Sequence, residues 1–85
     1  MKKTIKVSNT RRNIGNAKIG AIWQNTIRAG RKVIATITEP NTFHPGKYRV
    51  SVKVAPGYAL ISDTATMPNA VLEFDRLTDG KYQFA

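Results

Sequence analysis

Cysteine is absent from this 85-residue sequence, and histidine and tryptophan occur once each, as His44 and Trp23. Without thiols there is neither a disulfide staple nor a thiolate metal site, and His44 alone supplies no histidine-rich centre. No stretch approaches the roughly 20 apolar residues that a membrane-spanning helix requires. Met1-Lys2-Lys3 resembles the start of a signal peptide, but residues 4–12 contain no apolar run to serve as its hydrophobic segment. The sequence is therefore read as neither exported nor membrane-spanning, with a cytoplasmic location expected. It is also too short for two cores, so residues 1–85 are expected to form one small domain. A chain this small buries a modest share of its surface. With disulfides and metals set aside, oligomerisation is the reinforcement left, and a homodimer is expected.

Acid is scarce as well. There are 14 Lys plus Arg against 5 Asp plus Glu, a formal net charge of +9. The first carboxylate is Glu39, yet nine cations precede it: Lys2, Lys3, Lys6, Arg11, Arg12, Lys18, Arg28, Arg31 and Lys32. Past Ala55 the balance reverses, with Asp63, Glu73, Asp75 and Asp79 against Arg76 and Lys81. A field of one sign repels itself in the compact state, and a bound polyanion offsets that repulsion.

What is present reads mainly as strand. In residues 47–54, Tyr48, Val50, Val52 and Val54 alternate with Lys47, Arg49, Ser51 and Lys53. That is the period of a half-buried strand with one cationic face, and Pro-Gly turns bracket it on both sides. Residues 4–7, 32–38, 58–62, 70–75 and 81–84 read as further strands, with Thr78-Asp79-Gly80 as a hairpin turn. Residues 16–30 are ambiguous. Ile19, Ile22, Trp23 and Ile27 fall at helical spacing between Asn16 and Gly30, but Gly20 and the β-branched content favour a strand. The expected fold is a small five- to six-stranded antiparallel barrel of the oligonucleotide-binding or SH3-like kind. The alternative is an α+β domain with one helix at about 17–29.

Catalysis has little to work with. His44 beside a Pro-Gly turn reads as a surface loop residue, and Glu73 and Asp75, two apart, read as one acidic strand face. No phosphate-binding loop, dinucleotide fingerprint or metal-ligand spacing is present, so neither enzyme nor cofactor is expected. The cations suggest instead a loop around Arg11, Arg12 and Lys18, and a turn with Arg28, Arg31 and Lys32, that contact phosphates. Arg49 and Lys53 extend that surface from the strand face. Among the aromatics, Phe43 in a polar loop is the first candidate for a ring on which bases stack, and Trp23 between basic segments is the second. Tyr48 shares a face with three valines and is expected to be buried.

Residues 33–39 (Val-Ile-Ala-Thr-Ile-Thr-Glu), a short loop, and then Phe43-His44-Pro45-Gly46-Lys47-Tyr48-Arg49-Val50 resemble a stretch of the gene V type single-stranded DNA-binding proteins of filamentous bacteriophages. Val71-Leu72-Glu73-Phe74-Asp75-Arg76-Leu77 is similar to that family's closing strand. The resemblance implies a five-stranded barrel, a symmetric dimer and sequence-independent coating of single-stranded DNA in a bacterial or phage-infected cell. It covers about half the chain, and residues 1–31 depart from it most. Two other readings share the same charge. One is a small phage or mobile-element protein whose basic face docks on an acidic host nucleic-acid enzyme, and the other is a protein seated on folded RNA.

Overall fold

The computed structural model describes residues 4–85, so Lys2 and Lys3 of the basic N-terminal stretch lie outside the described residues. Six strands and one helix follow in the order β1 (Ile5–Asn13), β2 (Trp23–Ala29), β3 (Lys32–Thr38), β4 (Tyr48–Ala55), β5 (Tyr58–Thr64), α1 (Met67–Leu77) and β6 (Tyr82–Phe84). The first five strands form an antiparallel meander, and β6 then pairs with β1 in parallel, giving the sheet order β5-β4-β3-β2-β1-β6. The fold is mainly β, as expected, but the sheet is mixed and curls into a half-barrel. A parallel pair needs a long connection between its strands, and here that connection runs from β2 through α1.

The register explains which side is filled. Val7, Ile27, Ala35, Ile37, Val50 and Val52 occupy matching positions on neighbouring strands, and each is at most 4 % exposed. α1 lies over this concave face against β4 and β5. Its Phe74, 2 % exposed, reaches the rings of Tyr82 and Phe84 on β6 at centroid distances of 5.9 and 5.7 Å. The helix thus spans the gap between the two edges of the sheet, and one apolar cluster joins all three parts.

Residues 70–75 are helical where alternation predicts a strand. Met67, Ala70, Phe74 and Leu77 recur at the spacing of one helix face. Thr66 caps the start, its hydroxyl accepting from the Asn69 N–H at 3.2 Å, and Pro68 sits in the first turn, where its missing donor costs nothing. Glu73 and Asp75 therefore do not share a face. Glu73 instead accepts from Arg76 at 2.6 Å and from the Ser62 hydroxyl at 2.7 Å. Asp79 (φ 53) and Gly80 (φ 67) do adopt the left-handed conformation that Asp-Gly favours. They end a helix here and do not close a hairpin.

Residues 17–29 form no helix. Gly20 has φ 85, incompatible with a helix interior, and the segment divides into a loop and β2. β1 is also longer than residues 4–7, so Arg11 and Arg12 are strand residues and do not belong to a loop. The 14–22 connection is organised by two asparagines. Asn13 Oδ1 accepts from the N–H groups of Gly15 (2.8 Å) and Ile22 (3.0 Å), and Asn16 Oδ1 from those of Lys18 (2.9 Å) and Ile19 (3.1 Å). A Cβ at Gly15 would lie 2.0 Å from the Gly20 carbonyl oxygen, so only glycine fits the crossing. No helix among the described residues is long and apolar enough to cross a membrane.

Candidate nucleic-acid interface

Because α1 covers the concave side, the convex side of β1–β5 is left to solvent, and its composition follows from the same register. One cross-strand row reads Thr10-Thr26-Thr36-Ser51-Ile61. On one side of it runs Arg12-Gln24-Thr38-Arg49-Asp63, and on the other Ser8-Arg28-Val33. Lys53 stands opposite Ala59, one row beyond Ser51. The middle of this face is therefore mostly small and hydroxylic, with Thr26 buried within it at 5 % exposure, Ile61 at its β5 edge, and cations around it. Neighbouring strands lie about 4.8 Å apart and each residue rises about 3.4 Å, so Arg12 on β1 and Lys53 on β4, three strands and four residues apart in register, span roughly 20 Å. Arg28 and Lys53 are two strands apart, about 10 Å, close to the screening length of roughly 8 Å at physiological salt, so their fields still add.

Antiparallel pairing puts the β2–β3 turn, the β4–β5 turn and the start of β1 at one end, and the 14–22 and 39–47 loops at the other. Two of the acids, Glu39 and Asp63, lie at the loop end of the sheet, and Asp75 in α1 and Asp79 after it lie towards the turn end. At the loop end, Arg49 donates from Nε to Asp63 at 3.0 Å and from Nη2 at 3.2 Å, and His44 Nε2 lies 3.2 Å from the same carboxylate. Arg11 donates from Nε (2.6 Å) and Nη2 (2.9 Å) to Glu39, while its guanidinium stacks over Trp23 at 4.1 Å. Asn25, 3 % exposed, donates to Glu39 at 3.0 Å and to the Ile37 carbonyl at 3.2 Å, and accepts from Asn9 at 3.2 Å. Each carboxylate is held below the usual range, Glu39 chiefly by the Arg11 hydrogen bond and Asp63 chiefly by that of Arg49.

Glu39 is the less exposed of the two, and its role is checkable. A carboxylate whose folded pKa is depressed adds stability above its ordinary value, about 4.3, and loses it as pH falls through the folded value. Wild-type protein is expected to exceed Glu39→Gln in urea midpoint by a constant margin above about pH 5, and the margin should close towards pH 3. A margin that persists to pH 3 would show that the Arg11–Glu39 pair is not its source.

Of the residues expected to touch phosphate, Arg11 and Arg49 are thus engaged internally. Among the described residues, no ion pair involves Arg12, Lys18, Arg28, Arg31, Lys32 or Lys53. Arg12, Arg28 and Lys53 lie on the convex face, and Arg31 and Lys32 at the turn end beside it. Lys18 is apart from them, in the 14–22 loop. Phe43 is 67 % exposed at the loop end, its N–H bound to Asn41 Oδ1 at 2.9 Å, in a shallow recess with Ile22, His44 and Arg49. Trp23 is 37 % exposed with Arg11 on its ring, and Tyr48 packs partly buried against the core.

Two residues escape the sequence reading. Lys6 alternates with buried Val7 and so joins the convex side of β1. Tyr58, 61 % exposed, follows the Pro56-Gly57 turn at the end where the unpaired cations gather. Its position directly after a turn signal was the available clue. No protein-family model, curated protein or solved structure matches the chain to significance.

Proposed function

We propose that this protein binds nucleic acid without catalysis, single-stranded DNA with little sequence preference being the favoured ligand. One observation carries the reading: an uncovered sheet face bears Lys6, Arg12, Arg28 and Lys53, and the one carboxylate in its described rows, Asp63, is neutralised by Arg49. Phosphate contacts supply most sequence-independent affinity, and they need cations not already spent on internal carboxylates. Between them Thr10, Thr36 and Ser51 offer neutral donors and acceptors to a backbone, while Thr26 in the same row is buried and Ile61 ends it with an exposed apolar side chain. Residues 33–50 resemble the gene V type proteins, which bind that ligand, but residues 71–77, likened to that family's closing strand, are helical here.

The test is a gel-shift series with labelled single-stranded DNA, duplex DNA and RNA at low and moderate salt, using protein freed of nucleic acid. Single-stranded DNA should be bound best, with log affinity falling linearly in log salt by about 0.7 per phosphate contact. Affinity that stays flat with salt, or no shift of any oligonucleotide, would overturn the reading; the latter points to an acidic protein as the partner. Preference for structured RNA would overturn the choice of ligand.

A further inference from the structure

We infer that the recess at the turn end of the sheet accepts one unpaired nucleobase, stacked on Tyr58, with Lys32 and Lys53 on its flanking phosphates. The inference rests on the proposed single-strand binding and assigns it a place. The recess has a volume of about 580 Å³ and is lined by Val33, Val54, Ala59 and the Tyr58 ring, with the two lysines at its border. That volume lies within the range of small-molecule sites, about 300–1,000 Å³, and an apolar lining with a few convergent charges is their usual chemistry.

The local structure keeps the ring available. Gly57 (φ 74) turns the chain so that Tyr58 faces Ala55, whose methyl group is too small to cover it. The register shifts between Lys53 and Ala55, and Val54, 48 % exposed, forms part of the recess wall. An exposed tyrosine, an exposed valine and two cations without acid partners among the described residues are what a base and its phosphates require. Phe43 is equally exposed, but its neighbour Arg49 is tied to Asp63. A phosphate entering that recess meets a neutralised pair, and Lys18 and Lys47, at the same end and without acid partners among the described residues, do not line it, which is why Tyr58 and not Phe43 is assigned the base.

Binding of a labelled oligothymidylate by wild type, Tyr58→Ala, Tyr58→Phe and Phe43→Ala tests this. Tyr58→Ala should weaken binding by about 5- to 150-fold, the equivalent of one base–ring stack, with Tyr58→Phe near wild type and duplex binding unchanged. Abasic substitution in the oligonucleotide should weaken wild type more than Tyr58→Ala. Ultraviolet crosslinking of wild-type protein to an iodouracil-substituted strand, which needs no variant, should label Tyr58. Tight single-strand binding that is insensitive to Tyr58→Ala, or crosslinking to Phe43, would overturn the assignment and leave the proposed function standing. Failure of wild type to bind any single strand would instead overturn both.

Discussion

Alanine at Phe74 is expected to remove about 3–5 kcal/mol of stability, the usual cost of emptying a buried aromatic site. The reason is its position between layers. Phe74 is 2 % exposed, touches both Tyr82 and Phe84, and belongs to the one cluster that binds helix, meander and β6 together. Domains of this size have roughly 0.05–0.15 kcal/mol of stability per residue, about 4–13 kcal/mol in all, so the loss is a large fraction of the total. Urea titration followed by circular dichroism should show a markedly lower midpoint or a largely unfolded chain. Leu72→Ala is the control, because Leu72 on the same helix is 65 % exposed and should shift the midpoint little. Similar losses at the two sites would mean that α1 does not close the half-barrel through Phe74.

The largest effect on binding is expected from changing Arg12, Arg28 and Lys53 to glutamine together. Each is a cation of the convex face with no acid partner among the described residues. Three phosphate contacts contribute about 2 to the slope of log affinity against log salt on a single strand. Extrapolated from about 1 M down to 50 mM salt, that slope corresponds to a loss of about two to three orders of magnitude in affinity. The substitutions lie at the surface, so the unfolding midpoint should hold. A slope reduced by less than about one unit would remove the convex face as the binding surface and direct attention to Lys18 and the 14–22 loop.

The fold is legible in the sequence where burial and periodicity agree. β3 and β4 carry inward Ala35, Ile37, Val50 and Val52 against outward Thr36, Ser51 and Lys53, so alternation alone locates them. β1 is legible only at Val7, because the inward positions further along are Asn9 and Arg11, which close the polar mouth of the half-barrel through Asn25 and Glu39. A strand whose inward positions carry exposed polar side chains and hydrogen bonds in place of hydrocarbon has no hydrophobic signature. Val54 breaks the β4 pattern in burial alone, being 48 % exposed beside a register shift at the end of the strand. In α1, Val71, Leu72 and Phe74 read as strand residues locally, and the capping Thr66 and Pro68 are the better guide.

The charges divide in the same way. The excess of cations before Glu39 is visible in composition, but their pairing is not, because Arg11–Glu39 and Arg49–Asp63 join residues 28 and 14 positions apart. Only the register brings those partners together, and it leaves Arg12, Arg28 and Lys53 on one face with Arg31 and Lys32 beside it, while Lys18 and Lys47 stay in the loops of the other end.

The β1–β6 pairing also orders events on the ribosome. The β1–β5 meander can grow hairpin by hairpin as it is synthesised, each strand meeting the one before it. Its concave face then presents Ile27, Ile37, Val50 and Val52 with nothing over them until residues 67–84 have been made. Joining Ile5 to Tyr82 closes nearly the whole chain into a loop, the step with the largest sequence separation, so it comes last. During that interval the nascent meander is an open apolar trough, and a chaperone or a second chain is its competitor for the place that α1 will take.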